Sequence, residues 1–245
     1  MTTNRCLLIL ALAIVLSTAA PASSAHLAAG VNAFEVRALV SDGSLAGTTV
    51  DSNLVNAWGL AASQTGPWWI ANEATETSTL YDGTGRKLAR VVTVAGGPTG
   101  VVFNGTTGFV VTDGQASAPA RFIYACEDGR IRGWAGSVPT DGSNATEIAV
   151  DNSHRGAVYR GLAQATGPDG ATYLYAADFH NGRVDVFDAN WRPIRWKGAF
   201  VDRKIPGWYN EFGIQAIGGR IFVTYASPAP ANGNDSARTA GRSAA

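Results

Sequence analysis

One short pattern returns four times along this chain, and it leaves few folds open. A glycine opens an apolar run at Trp58-Gly59-Leu60-Ala61, Thr99-Gly100-Val101-Val102, Arg160-Gly161-Leu162-Ala163 and Phe212-Gly213-Ile214-Gln215. A turn and a second run follow each time: WWIANE (68–73), RFIYACED (121–128), YLYAADF (173–179) and RIFVTYA (220–226). Three of the units add a third run, STLYDG (78–83), RIRGWAG (130–136) and RVDVFDAN (183–190). A fourth run is readable in LARVVTV (88–94), TEIAV (146–150) and IRWKGAF (194–200). Runs this short, rich in β-branched and aromatic residues and bounded by turn formers, read as strands. Four antiparallel strands recurring at roughly 40 to 60 residues predict an all-β chain built of β-propeller blades. A glycine at the start of each first strand fits close packing near a crowded axis, where a side chain would clash.

The plainest hairpin is Tyr173–Asp188, two runs joined across Asn181-Gly182, a pair that tolerates the positive φ angles of a tight turn. The second unit is longer, and its extra length falls in Asp113–Ala120, a polar loop containing Pro119. Counting runs gives about three and a half four-stranded blades, incomplete against a probable six-bladed parent. The pattern stops at Ala226, and residues 227–245 have the composition of a disordered low-complexity tail. The expected partition is 1–25 signal peptide, 26–226 partial propeller and 227–245 tail, in a copy truncated at its C-terminus. Phe34–Val40 (FEVRALV) is placed to complete one blade by pairing beside a C-terminal strand.

Arg5 followed by the apolar Cys6–Leu16 and the small residues Ser23-Ser24-Ala25 reads as a cleavable export signal. The apolar run falls short of the ~20 residues that span a bilayer. The expected location is therefore secreted or periplasmic, with no stable membrane span in the mature chain. Cleavage leaves Cys126 alone, so an intrachain disulfide is not expected, and its setting in FIYACED marks a small buried residue. Nineteen basic residues balance nineteen acidic ones, so charge gives no case for nucleic acid or an anionic membrane as partner.

A resemblance covers residues 36–226. It is carried in order by LVSDG (39–43), DSNLVNAWGLA (51–61), STLYDGTG (78–85), GPTGVVFNG (97–105), ARFIYACEDGRIRGW (120–134), GAVYRGLA (156–163) and LYAADFHNGRVDVFD (174–188). Together these strings resemble the uncharacterised exported β-propeller family associated with the PEP-CTERM sorting system of bacteria. The resemblance implies a propeller fold and an exported address, and no established reaction. Members of that family continue with further blades past the point matching Tyr225-Ala226.

The second strands of the first three units each end in an acid: Glu73, Glu127 and Asp178. A ring of carboxylates at one mouth of a propeller is a candidate calcium site, since calcium takes six to eight oxygen ligands. Such an ion would polarise a lactone or phosphoester, which makes a calcium-dependent lactonase-like hydrolase the alternative reading. The bland reading is that acids beside turns bond their own backbone. Asp178 and His180 stand together at the hairpin end with Asn181, and form the best polar candidates for ligand binding. Trp58, Trp69, Trp134 and Trp196 fall within expected strands, whereas Trp191 and Trp208 lie in loops and are candidates for an exposed stacking surface. No G-x-S-x-G elbow and no H-x-x-x-H pair is present, and no catalytic residue is assigned. The leading expectation is a non-enzymatic binding or scaffold module without a cofactor, its ligand an unknown protein, glycan or small molecule.

Overall fold

The computed structural model describes residues 34–196 and 198–228, together with the backbone of 239–244. The chain divides into two units, residues 1–37 and 38–245. Only residues 34–37 of the first are described, and they form no helix or strand; the expected signal peptide lies outside the described residues. Among the described residues, no helix is long and apolar enough to cross a membrane.

The second unit opens with a short parallel pair, β1 (Val40–Ser41) and β2 (Thr49–Val50). Four sheets follow, each beginning with one of the repeat glycines. The first is a meander of β3 (Ala57–Ala62), β4 (Trp68–Asn72), β5 (Thr77–Tyr81) and β6 (Lys87–Thr93). The second starts with β7 (Pro98–Phe103) and is interrupted by a small hairpin, β8 (Val110–Thr112) and β9 (Ser117–Pro119). It then resumes with β10 (Phe122–Cys126), β11 (Arg130–Trp134) and β12 (Glu147–Asp151). A single 3-10 turn, Ser153–Arg155, leads into the third sheet. Its strands are β13 (Tyr159–Thr166), β14 (Thr172–Asp178), β15 (Arg183–Phe187) and β16 (Pro193–Ile194). The fourth has three strands, β17 (Asn210–Ile217), β18 (Arg220–Ala226) and β19 (Thr239–Ala244). These are propeller blades: antiparallel sheets with each first strand innermost and packed on the first strand of the next.

The repeat glycines explain that spacing. A methyl on Gly59 would stand 2.6 Å from the backbone nitrogen of Val101, and one on Gly100 would stand 2.6 Å from that of Leu162. On Gly161 it would come within 3.0 Å of the Ile214 nitrogen. Each blade thus lays its glycine on the next blade's inner backbone, an approach only a missing side chain allows.

Three apolar cores lie in the three seams, and strand alternation assigns each residue to one of them. Between blades 1 and 2, Trp69, Ala71, Leu80 and Val92 meet Val101, Phe122, Tyr124 and Cys126. Trp69 stacks on Phe122 with centroids 3.9 Å apart, which adds about 1 kcal/mol beyond burial alone. Between blades 2 and 3, Ile123, Ala125 and Ile131 meet Tyr159, Leu162, Leu174 and Ala176. Between blades 3 and 4, Ala163, Tyr175 and Ala177 meet Ile214, Val223 and Tyr225. The narrow Ala176-Ala177 pair of the hairpin therefore serves two seams, one residue each.

Several expectations change at the edges. Residues 34–39 form no strand, and Val40–Ser41 pairs with Thr49–Val50 instead of a C-terminal strand. The fourth strand of blade 3 is only Pro193–Ile194, and a turn closed by the Ala199 amide on the Trp196 carbonyl follows it. Trp196 consequently lies in a loop, not in a strand. Within the supposed tail, Thr239–Ala244 pairs antiparallel with β18, giving blade 4 a third strand; the other residues from 229 onward lie outside those described. The extra length in blade 2 is partly ordered, as β8–β9, with the Trp191 indole donating to the Val110 carbonyl at 2.8 Å.

Candidate functional site

The hairpin at 173–188 turns through four residues, Phe179 to Gly182, and of Asn181 and Gly182 only Gly182 has positive φ. Asp178 supplies what a tight two-residue turn would have done. Its carboxylate accepts from the Val158 amide at 3.2 Å, the Asn181 amide at 3.3 Å and the Asn181 side chain at 2.7 Å. Arg183 stands 3.3 Å from it, and Asp178 is fully buried. The acid is spent on holding the hairpin end, the role Asp commonly takes beside turns.

Sheet register also separates the three acids. Asn72 faces Ala57, Cys126 faces Pro98 and Asp178 faces Tyr159, in each case two residues before the repeat glycine. Asp178 is therefore equivalent to Asn72 and Cys126, and all three are fully buried. The residue equivalent to Glu73 and Glu127 is Phe179, so the expected ring of acids is out of step by one residue in blade 3. A one-residue offset in a strand turns the side chain to the opposite face. Glu73 accepts a hydrogen bond from Asn56 at 2.6 Å, and Glu127 is ion-paired with Arg160. Among the described residues, no three His, Cys, Asp or Glu side chains gather closely enough to hold a metal ion.

What occupies the axis at this mouth is aromatic and cationic. The residue before three of the repeat glycines points there: Trp58, Arg160 and Phe212. Trp58 and Phe212, from blades 1 and 4, meet with centroids 5.6 Å apart, and Phe179 meets Phe212 edge-on at 5.4 Å. The Arg160 guanidinium lies over Trp58 at 5.5 Å and over Phe179 at 5.9 Å. Such cation–π contacts are worth ~1 kcal/mol each when partly desolvated. Together these side chains form one aromatic and cationic cluster shared by blades 1, 3 and 4. Sequence reasoning quoted these residues only as neighbours of the glycines; their place one step before each glycine was the available signal.

The remaining candidates lie apart from this cluster. His180 is exposed, with its ring close to Gly156. Trp208 is 67% exposed and touches Tyr209. Trp191 is not an exposed stacking surface: half-buried, it packs edge-on to Phe109 at 5.1 Å, held by its bond to Val110. Cys126 is buried, and burial together with the nearby Asp128 charge pushes its thiol well above the ordinary range, which removes it as a nucleophile.

A groove of about 650 Å³ runs along the outer edge of blade 3, where β16 is short, and is also lined by Val150 and Asn152 before blade 3 and Glu211 of blade 4. Its lining includes Arg155, Arg183 and Arg195 together with Trp191, Trp196 and Phe200. Arg183 is fixed by Asp185 at 2.8 Å. Among the described residues, neither Arg155 nor Arg195 is paired with a carboxylate. Trp196 is exposed, propped edge-on against Tyr173 at 5.0 Å. At the base, Asn152 donates to the Tyr159 hydroxyl at 2.8 Å, which donates to Asp185 at 2.9 Å. Burial, reinforced by the Asp185 charge, raises the Tyr159 hydroxyl far above its usual range, so it stays protonated. Glu211 also reaches the groove, and burial raises its carboxyl above the usual value. Nucleophile and general base are not paired here; the groove is suited to holding a ligand.

No protein-family profile matches the chain. Two uncharacterised proteins of Acanthamoeba polyphaga mimivirus are similar to it. One is 32% identical over 212 residues, covering 82% of this chain and 50% of that protein. The other is 28% identical over 213 residues, covering 82% and 54%. The chain thus spans about half the length of the curated relatives it matches. Among solved structures, a nidogen/laminin complex matches with a TM-score of 0.46 at 14% identity, covering 70% of this chain and 56% of that one. Virginiamycin B lyase from Staphylococcus aureus matches with a TM-score of 0.45 at 10% identity, covering 70% and 48%. The propeller architecture stands on the strand order of the chain itself.

Proposed function

We propose that this chain is the ligand-binding propeller of an exported protein, a non-enzymatic module that holds an acidic saccharide in the groove beside blade 3. The observation that carries the reading is the pairing, in one groove, of two arginines without carboxylate partners and an exposed, propped tryptophan. A guanidinium matches a carboxylate with two parallel hydrogen bonds, and an indole face covers the apolar face of a sugar ring. Export rests on the Arg5 and Cys6–Leu16 pattern, and association with a sorting system at the cell surface or matrix rests on the sequence resemblance.

The test is calorimetric titration with oligogalacturonate and with a neutral oligosaccharide of the same length. The acidic ligand binds, binding weakens with added salt, and Arg195→Ala and Trp196→Ala each lower affinity about tenfold or more, the order expected for losing one good contact. Absence of binding at low ionic strength by folded protein, or equal affinity for both saccharides, overturns the reading.

A further inference from the structure

The groove beside blade 3 contains an acid with no partner in it. Glu211, near the start of β17, lines the groove and is only 7% exposed. It pairs in the ladder with Tyr225, which packs in the formed seam between blades 3 and 4. Among the described residues, no side chain or amide of another residue hydrogen-bonds or ion-pairs its carboxylate. Burial holds that carboxyl above its usual value, against the pull of its own amide, and the Asp178 charge adds to the effect of burial.

The other carboxylate of the lining is differently placed. Asp185 is occupied by Arg183 at 2.8 Å and by the Tyr159 hydroxyl at 2.9 Å. Arg155 and Arg195 lack carboxylate partners among the described residues, and neither is ion-paired with Glu211. One cavity therefore keeps two guanidiniums and a buried carboxylate apart from one another. A buried charge left without a partner is costly, and a ligand that supplies the opposite charge removes that cost. A purely acidic ligand suits the arginines and repels Glu211. A ligand carrying an ammonium as well suits both.

Resting on the reading of this groove as a site for an acidic saccharide, we propose that its ligand is zwitterionic: an amino sugar acid whose carboxylate meets Arg155 or Arg195 and whose ammonium meets Glu211. An ammonium brings three donors and a full charge to an acceptor-only carboxylate, and such charge-assisted bonds are about twice as strong as neutral ones. N-acetylation replaces that group with a bulkier, uncharged amide, so Glu211 selects the free amine. A groove of about 650 Å³ lies within the size range of small-molecule sites.

Calorimetric titration at low ionic strength with muramic acid, N-acetylmuramic acid and oligogalacturonate tests this. Muramic acid joins a carboxylate and a free ammonium on one sugar, and acetylation removes the second charge. Muramic acid binds about tenfold or more tightly than its acetylated form, the order expected for one good charged contact. Glu211→Gln abolishes that preference, Glu211→Asp retains it, and near-ultraviolet circular dichroism confirms that each variant folds. Oligogalacturonate binds Glu211→Gln as tightly as the parent or more so, because a negative charge has left the groove. Equal affinity for the two muramic acids, failure of muramic acid to bind, or a preference that survives in folded Glu211→Gln overturns the inference. Oligogalacturonate binding in any of those cases leaves the acidic-saccharide reading standing, whereas no binding of all three overturns both.

Discussion

Asp178 shows how one side chain fixes a hairpin that its turn sequence alone would not. It is fully buried and joins two amides, one side-chain amide and Arg183, so Asp178→Ala strands several donors at once. The expected loss is about 3 kcal/mol of stability, read from denaturant unfolding, because removing one member of a buried pair leaves the rest unsatisfied. A loss under about 1 kcal/mol would mean that water replaces the carboxylate. Asp51 makes a second residue-scale prediction. Burial raises its affinity for a proton, but hydrogen bonds from Lys87 and Tyr81 together outweigh that and leave its carboxyl below the usual carboxylate range. Its contribution to stability is therefore complete above about pH 4 and is lost as the pH falls through the lower folded-state value. Lys87→Met should flatten that acid limb of the stability profile while changing neutral-pH stability less than Asp51→Ala. From the sequence, Asp178 was legible as a turn residue, whereas its false equivalence to Glu73 and Glu127 was not detectable. Counting from the ends of apolar strings ignores register, and register is set by the partner strand.

At the scale of the element, the repeat glycines were the most readable feature, and the structure gives them a graded importance. Gly59→Ala and Gly100→Ala drive a methyl into the next blade's backbone and should each cost about 3 kcal/mol. Gly161→Ala, with its nearest backbone at 3.0 Å, should cost less. Gly213→Ala should cost under about 1 kcal/mol, since the Thr224 hydroxyl can rotate away. Equal losses at all four positions would show that strand propensity, not contact between blades, selects glycine. The strands themselves were found within a residue or two in blades 1 and 2. Blade 3 failed at its last strand because IRWKGAF looks like a strand locally, yet the ladder stops after Ile194, just before the turn at Trp196–Ala199. The groove opens where that strand is short, so of its lining only Trp191 was singled out from the sequence as a ligand-binding candidate. Trp191 misled for a related reason: a loop tryptophan is exposed only if no inserted hairpin covers it, and β8–β9 does.

For the whole molecule, four blades in series place Glu73, Glu127 and Asp178 in three different employments. Glu73 is held by Asn56, Glu127 by Arg160 and Asp178 by its own hairpin. Calcium or a chelator should accordingly leave the melting temperature unchanged at millimolar concentration. A rise of several degrees with calcium would restore the hydrolase reading, since a ligand bound only by the folded state stabilises it by mass action. The architecture was legible because propeller blades repeat, and repetition is visible without any knowledge of contacts. The environment of blade 1 was not, since the exposure of Leu60 follows from what stands beside it and not from its own string.

The seams also carry a consequence for how the molecule opens. Each apolar core joins only two neighbouring blades, so stability is transmitted in sequence, as along a row of coupled units. The middle seam, between blades 2 and 3, is flanked on both sides by formed cores, whereas the apolar core of blade 4 is shared with blade 3 and its link to blade 1 is the Trp58–Phe212 ring contact. Native-state amide exchange should therefore be slowest in β10 and β14 and progressively faster toward β18. The chain would then breathe from its C-terminal end inward, exposing the groove edge of blade 3 before disturbing the aromatic stack of blades 1 and 2.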